Sequence, residues 1–371
     1  MEVKKLGFGF MRLPVLDPND RTKIDMELVR AMADRFLSKG FVWFDTAYVY
    51  HGGYSEQAFG ELVAKRYSRD DYILVTKMPV FQINRAEQYP AIFAEQLERC
   101  GVSYFDYYLL HAIGKTVLPA IERMDGFGFL RRMKAEGKIR HIGFSYHDDA
   151  ETLDRILRDH PETELVQLQI NYIDWENASI QSRRCYEVCL RHGVEVSVME
   201  PLKGGALAIP PERANRILRQ ANPAASAASW ALRFAASLDN VKVVLSGMGS
   251  MEQIEDNLRN MDPLKPLTKL EREVIQSVVA SINDSIAIPC TACRYCTDGC
   301  PQNIAIPEYF ALYNNQKQFA LLPGIQTTFD NLTRGGGAPS DCIACGQCER
   351  HCPQHLPIVE LLKQVAERFT V

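Results

Sequence analysis

Phe41-Val-Trp-Phe-Asp45-Thr-Ala-Tyr-Val-Tyr50-His-Gly-Gly-Tyr-Ser-Glu56 begins as a short apolar run, ends that run on an acid, and carries Tyr50 in the loop that follows. From Ser55 to Tyr67 the apolar spacing becomes helical. The same strand-then-helix alternation fills the chain on either side. Strands are expected at Lys5–Phe10, Phe41–Asp45, Tyr72–Lys77, Phe105–His111, Ile139–Ser145, Leu165–Gln169, Val194–Glu200 and Val241–Ser246. Helices are expected at Ile24–Ser38, Ser55–Tyr67, Ala86–Cys100, Leu118–Glu136, Asp149–Asp159, Ile180–Arg191, Ala224–Ala236 and Ser250–Met261. Eight such units over about 260 residues suit a closed (β/α)8 barrel. A doubly wound open sheet would want a Gly-x-Gly-x-x-Gly turn after the first strand, and Gly7-Phe-Gly9-Phe-Met11-Arg12 supplies none.

The chain has 371 residues, too many for one small domain and suited to a large α/β unit with an appendage. A net charge of −4 gives no basic surface for nucleic acid. No apolar run approaches the ~18 residues of a membrane span, and the N-terminal residues contain no signal-peptide core. The expected location is cytoplasmic.

Asp262-Pro-Leu-Lys-Pro266 interrupts the alternation, and Lys269–Ile282 reads as a bridging helix. The expected division is a barrel over 1–267, a linker helix over 268–284 and a cysteine-rich domain over 285–371. In that domain Pro307–Phe319 and Pro357–Phe369 read as helices opened by proline, and Leu332–Ser340 as a loop.

Eight of the eleven cysteines stand at or after residue 290. Cys290-x2-Cys293-x2-Cys296-x3-Cys300-Pro301 and Cys342-x2-Cys345-x2-Cys348-x3-Cys352-Pro353 each match the bacterial ferredoxin run for a 4Fe–4S cluster. Three thiolates two residues apart wrap one cluster, and the fourth crosses to the other. The expected ligand sets are Cys290, Cys293, Cys296 and Cys352 for one cluster, and Cys342, Cys345, Cys348 and Cys300 for the second. Zinc would favour two Cys-x2-Cys pairs. The 41 residues between the cassettes carry a helix, so this part resembles the α-helical dicluster ferredoxins. Cys100, Cys185 and Cys189 are expected in the core.

Three consecutive barrel strands end in ionisable residues, Asp45, Lys77 and His111, and Tyr50 follows Asp45 closely. Barrel chemistry sits at these strand ends. Singly, each residue could be structural; together they form a candidate site.

These residues resemble the aldo-keto reductases. The motifs are Leu6-Gly-Phe-Gly-Phe-Met-Arg-Leu-Pro14, Asp45-Thr-Ala-x-x-Tyr50 with Gly53-Tyr-Ser-Glu56 and Gly60, Val75-Thr-Lys77, Asp106-Tyr-Tyr-Leu-Leu-His111 and Lys138-Ile-Arg-His-Ile-Gly-Phe-Ser145. With the cysteine cassettes, the chain looks like the iron–sulfur branch of that family. The resemblance implies a catalytic tetrad of Asp45, Tyr50, Lys77 and His111 acting on a small-molecule carbonyl. Tyr50 would donate the proton, Lys77 would lower its pKa, Asp45 would hold Lys77, and His111 would orient the carbonyl.

It also implies a nicotinamide cofactor, NAD(P)(H). Ser145 and Gln167 would hold the carboxamide, with Asn171 nearby and Gln169 on the same strand face as Gln167. Pro201, Leu202, Lys203 and Gly204 would approach the pyrophosphate. Ser246 opens the last βα loop, and Asp256 and Asn257 match the adenine-side residues. Three departures stand out. Tyr146 replaces the usual asparagine and Met199 the usual stacking aromatic. Gly247, Met248 and Gln253 replace the cationic and polar residues of NADPH-preferring members. With Glu252, Glu255 and Asp256 close by, the expectation is no strong preference for NADPH, Lys203 being the one nearby cation legible in the sequence.

Hydride transfer moves two electrons and a cluster moves one, so coupling them normally needs a carrier such as a flavin. Three functions follow: a nicotinamide-dependent carbonyl reductase with a structural or sensing cluster domain, an electron-transfer enzyme with a flavin or nicotinamide in the barrel and a redox partner protein, or a non-catalytic subunit of a redox complex. The intact tetrad argues against the third, and Met199 and Tyr146 keep the second open. Phe81, Tyr54 and Trp175 could line the barrel mouth, with packing favoured for Trp175.

Overall fold

A computed structural model describes residues 3–369 apart from Ser179, Asp298, Ala320, Leu321, Pro323 and Pro353. Pro353 of the second cassette thus lies outside the described residues. The chain divides into two compact units. The first comprises Met1–Glu176, Ile180–Pro201 and Ser229–Leu267, the second Asn177–Ser179, Leu202–Ala228 and Thr268–Val371.

The first unit holds β1 (Leu6–Gly9), β2 (Trp43–Asp45), β3 (Ile73–Met78), β4 (Phe105–Ile113), β5 (Ile139–Tyr146), β6 (Leu165–Gln169), β7 (Glu195–Met199) and β8 (Val241–Ser246). They pair in sequence order, and β8 returns parallel to β1, closing the barrel. Strand side chains alternate between faces, which divides these runs cleanly. Trp43, Val75, Tyr107, Leu109, Leu165, Val243 and Leu245 share one core inside the barrel. Asp45, Lys77, His111, Ser145 and Gln167 continue that inward series toward the strand ends. The alternate residues face the helices: Phe8 and Phe44 pack on Phe36 of helix Met26–Ser38 at centroid distances of 5.7 and 5.5 Å.

The helical expectations hold for Met26–Ser38, Gln88–Cys100, Ala150–Asp159, Ser182–His192 and Met251–Met261. Others need correction. The single helix expected over Leu118–Glu136 is two, Leu118–Arg123 and Gly126–Ala135, separated where Asp125 takes a left-handed φ of 55°. Helix Tyr54–Phe59 runs into a π-helical turn, Gly60–Ala64. A Cβ on Gly60 would stand 2.6 Å from the Arg99 carbonyl oxygen, so only glycine allows this approach.

In the second unit, Glu212–Ala221, which lacked a sequence expectation, packs on Lys269–Asn283. Helix Ile325–Gly335 extends through Leu332–Gly335, the first four residues of the stretch expected as a loop, Leu332–Ser340. Its Phe329 stacks on Phe369 at 4.9 Å and Leu332 packs against the same core, an i, i+3 apolar pair that outweighs the glycines at its end. Helices Ile306–Gln318 and Ile358–Phe369 stand where prolines signalled them. Tyr309, Phe310, Ile358, Leu362 and Val365 form the core of this unit together with Cys296, Cys348 and Cys352.

Candidate active site and cluster cavities

Asp45, Lys77 and His111 reach the barrel mouth because each is an inward residue near the end of its strand. The Lys77 ammonium donates to Asp45 Oδ1 at 2.7 Å and to the Thr46 carbonyl at 2.8 Å. It lies 4.9 Å from the centroid of the Tyr50 ring. Tyr50 meets His111 edge to face at 5.8 Å, and Phe81 covers His111 from another side at 5.5 Å. The four residues named from sequence therefore converge.

Their electrostatics follow from burial against charge. Burial pulls the Lys77 ammonium down, but Asp45 and Tyr50 outweigh it and hold its pKa above the ordinary lysine value. Burial raises the Asp45 carboxyl, while Lys77 and a hydrogen bond from Gln167 at 3.1 Å pull it back. Lys77 with Asp45 is a closed ion pair. The Tyr50 phenol departs from expectation. Burial raises its pKa, and the opposing Lys77 charge does not reverse that, so the expected net lowering is corrected to a net rise. His111 is pushed well below its usual value by burial and then by Lys77, so the imidazole is neutral. Its Nδ1 is buried without a hydrogen-bond partner among the described residues.

The Gly53-Tyr-Ser-Glu56 motif supports this site from behind. Ser55 Oγ joins Thr46 Oγ1 at 2.8 Å and donates to the Phe10 carbonyl at 3.1 Å. Glu56, wholly buried, accepts from Thr76 Oγ1 at 2.6 Å and from Gln96 Nε2 at 2.5 Å. Gln96 Nε2 also lies 3.1 Å from the Lys77 carbonyl, and Tyr108 donates to Gln96 Oε1. Burial, countered by these bonds and Arg99, raises the Glu56 pKa to about 7. His51 fixes the Tyr50 turn. Its Nε2 accepts from the Leu13 N–H at 3.2 Å and its Nδ1 lies 2.6 Å from the Arg21 carbonyl, a pairing suited to the neutral ring.

Among the cofactor candidates, Ser145 and Gln167 stand in register on β5 and β6. Ser145 Oγ accepts from the Ala112 N–H at 2.7 Å. A hydroxyl beside an amide fits the donor and acceptor of a carboxamide. Gln169 and Asn171 both donate to Asp174, and Asn171 also to the Glu200 carbonyl. Tyr146 faces the helix layer, donating to the Asp149 carbonyl at 2.6 Å. Ser246 also faces outward, accepting from Asn257 at 3.0 Å. Gln253 Oε1 is taken by the Gly249 N–H at 2.7 Å, and Met248 is buried. Glu255 pairs with Arg35 and Asp256 with Arg259. Pro201 ends a segment of the first unit, whereas Leu202, Lys203 and Gly204 belong to the second. Lys203 is buried. Trp175 packs on Tyr186 and Phe234, each at 5.6 Å.

Arg12, His147 and Glu200 were not named as site residues from sequence. Arg12 Nη1 pairs with Glu200 Oε1 at 2.8 Å. Glu200 ends the seventh expected strand and His147 follows the fifth, the same signal that singled out Asp45, Lys77 and His111. The charge of Glu200 acts on both Tyr50 and His147.

In the second unit the cysteines gather into two sets. Cys290, Cys293, Cys296 and Cys352 line one cavity with Arg294, Pro307 and Phe310. Cys300, Cys342, Cys345 and Cys348 line a second with Ile304, Val359 and Leu362. Each set takes three cysteines from one cassette and its fourth from the other. Among the described residues no three His, Cys, Asp or Glu side chains converge on a point that one ion could fill. Sulfurs ringing a cavity suit a cubane of iron and sulfide better than a tetrahedral zinc. Cys100, Cys185 and Cys189 are buried in the first unit. No described helix is long and apolar enough to cross a membrane.

Residues 5–280 match the family model described as "Aldo/keto reductase family", and residues 289–356 match that described as "4Fe-4S dicluster domain". An uncharacterized oxidoreductase of Schizosaccharomyces pombe is 27% identical over 271 residues, covering 70% of this chain and 82% of that protein. L-galactose dehydrogenase of Arabidopsis thaliana is 29% identical over 266 residues, covering 65% and 80%. Among solved structures, an aldo-keto reductase from Klebsiella pneumoniae in complex with NADPH superposes with a TM-score of 0.59 at 21% identity, covering 75% of this chain and 91% of that one. That likeness is one of fold.

Proposed function

From the premise that the chain belongs to the aldo/keto reductase family and carries a 4Fe-4S dicluster domain, we propose that this oxidoreductase reduces a small-molecule carbonyl, or oxidises the corresponding alcohol, with a nicotinamide dinucleotide. The observation that carries this reading is the meeting of a buried Lys77–Asp45 pair with Tyr50 and a neutral His111 at the mouth of the barrel. When bound, the nicotinamide supplies the hydride. The chain supplies the rest. Tyr50, a neutral phenol with a raised pKa, holds the proton that the developing alkoxide takes up. Lys77 favours the phenolate left behind and is itself fixed by Asp45. The neutral imidazole of His111 would donate its ring N–H to orient the carbonyl oxygen. Ser145 and Gln167 are the residues that would hold the carboxamide. Because burial keeps the phenol protonated, reduction should hold its rate toward alkaline pH, while alcohol oxidation should rise with pH.

The two cysteine-lined cavities support two 4Fe–4S clusters with one crossed ligand each. Thiolate ligands of this kind suit a reducing, cytoplasmic setting. The reading is tested with anaerobically purified, cluster-loaded full-length protein by following carbonyl-dependent oxidation of NADH and of NADPH over a panel of aldehydes and ketones. Turnover with some carbonyl supports it. No turnover with either dinucleotide, together with a flavin spectrum in the extracted cofactor, would move the function to electron transfer through the barrel.

A further inference from the structure

The loop from Ser246 to Gly249 offers no charged side chain, yet a cation lies on it. A Cβ on Gly247 would meet the Cβ of Arg12 at 3.3 Å and its Cγ and Cδ at 3.8 Å. The arginine stem thus rests where a side chain at 247 would begin. Its guanidinium pairs with Glu200, the residue after β7, with the two side chains one-third and one-quarter exposed. Glu200 is held there at a cost. Its φ of 54° is left-handed, which a non-glycine residue adopts only when its surroundings impose it. Asn171 supplies part of that constraint by donating to the Glu200 carbonyl at 3.1 Å. Glu200 is also close enough for its charge to act on Tyr50.

We infer that Arg12 is the phosphate-binding cation of the dinucleotide site and that Glu200 is the resident counter-anion it leaves when the phosphate arrives. The inference rests on the nicotinamide reading above. A partly exposed ion pair is weak, whereas a guanidinium grips a phosphate through two parallel charge-assisted bonds, so the exchange is favourable. The two partners then have opposite effects on binding, which a purely structural pair would not have.

The test is fluorescence titration of the full-length, cluster-loaded protein with NADH and with NADPH, for wild type, Arg12→Gln, Glu200→Gln and the double variant. Arg12→Gln is expected to weaken binding about tenfold or more, the loss of a charge-assisted contact. Glu200→Gln is expected to tighten it severalfold, and the double variant to match Arg12→Gln, since the effect of Glu200 on phosphate binding runs through Arg12. Equal weakening of both dinucleotides assigns Arg12 to the pyrophosphate; weakening of NADPH alone assigns it to the 2′-phosphate. Wild-type binding left unchanged by Arg12→Gln, or weakened alike by both single substitutions, overturns the inference alone. A wild-type protein that binds neither dinucleotide overturns the nicotinamide reading and the inference with it.

Discussion

The Lys77 ammonium donates to the Asp45 carboxylate at 2.7 Å with neither side chain more than 5% exposed, so the two charges have only each other and a few protein dipoles for solvation. Removing one partner strands the other. Lys77→Met should destabilise the protein by about 3–5 kcal/mol, the usual result of leaving a buried charge unpaired. Lys77→Met with Asp45→Asn should recover much of that loss although it changes more atoms, and should remain inactive. Thermal midpoints of the single and double variants under anaerobic conditions check this. Additive losses would show that the pair is not coupled.

Glu56 gives a pH dependence of definite sign. Folding raises its pKa from 4.5 to about 7, so the folded state binds the proton more tightly. Stability from this group is complete below pH about 4.5 and is lost as pH rises through about 7, a change on the order of 3 kcal/mol. Glu56→Gln cannot ionise. The stability of the wild type relative to that variant should therefore fall between pH 5 and pH 8. A difference that stays constant across this range would mean that Glu56 does not titrate there.

The cavities predict which cluster each cysteine serves. Cys300→Ser should disturb the cluster bounded by Cys342, Cys345 and Cys348, and Cys352→Ser the one bounded by Cys290, Cys293 and Cys296. Pairing each with a second substitution in the same cavity, Cys300→Ser with Cys345→Ser, should leave about four of the about eight irons of a two-cluster chain. Pairing it instead with Cys293→Ser, from the other cavity, should reduce both clusters. Anaerobic iron analysis with electron paramagnetic resonance of the reduced proteins distinguishes the two patterns. Uncrossed ligation would exchange them.

The sequence made the barrel legible because strand alternation and helical spacing are local, and each strand was bounded by a change of period. The tetrad was legible for the same reason: Asp45, Lys77 and His111 are inward residues near strand ends, so knowing the period was enough to bring them together. The Arg12–Glu200 pair was not, because its members stand 188 residues apart and meet only once β8 closes on β1. Nor does a sequence show how far burial outweighs the Lys77 charge at Tyr50, since desolvation depends on every neighbour. The helix Ile325–Gly335 was hidden by the glycines at its end, whereas its Phe329 and Leu332 are held by contacts with distant residues.

Carbonyl reduction completed by a proton from Tyr50 is the centre of the account, and Tyr50→Phe isolates it by deleting one hydroxyl and leaving the ring against His111 and Lys77. Single-turnover oxidation of bound NADH or NADPH by a carbonyl substrate should slow by about 10²–10⁴-fold, the usual worth of a general acid. The dissociation constant of the dinucleotide should change by less than about twofold, because the hydroxyl is needed only where charge develops on the substrate oxygen. A variant that turns over at the wild-type rate would contradict the account.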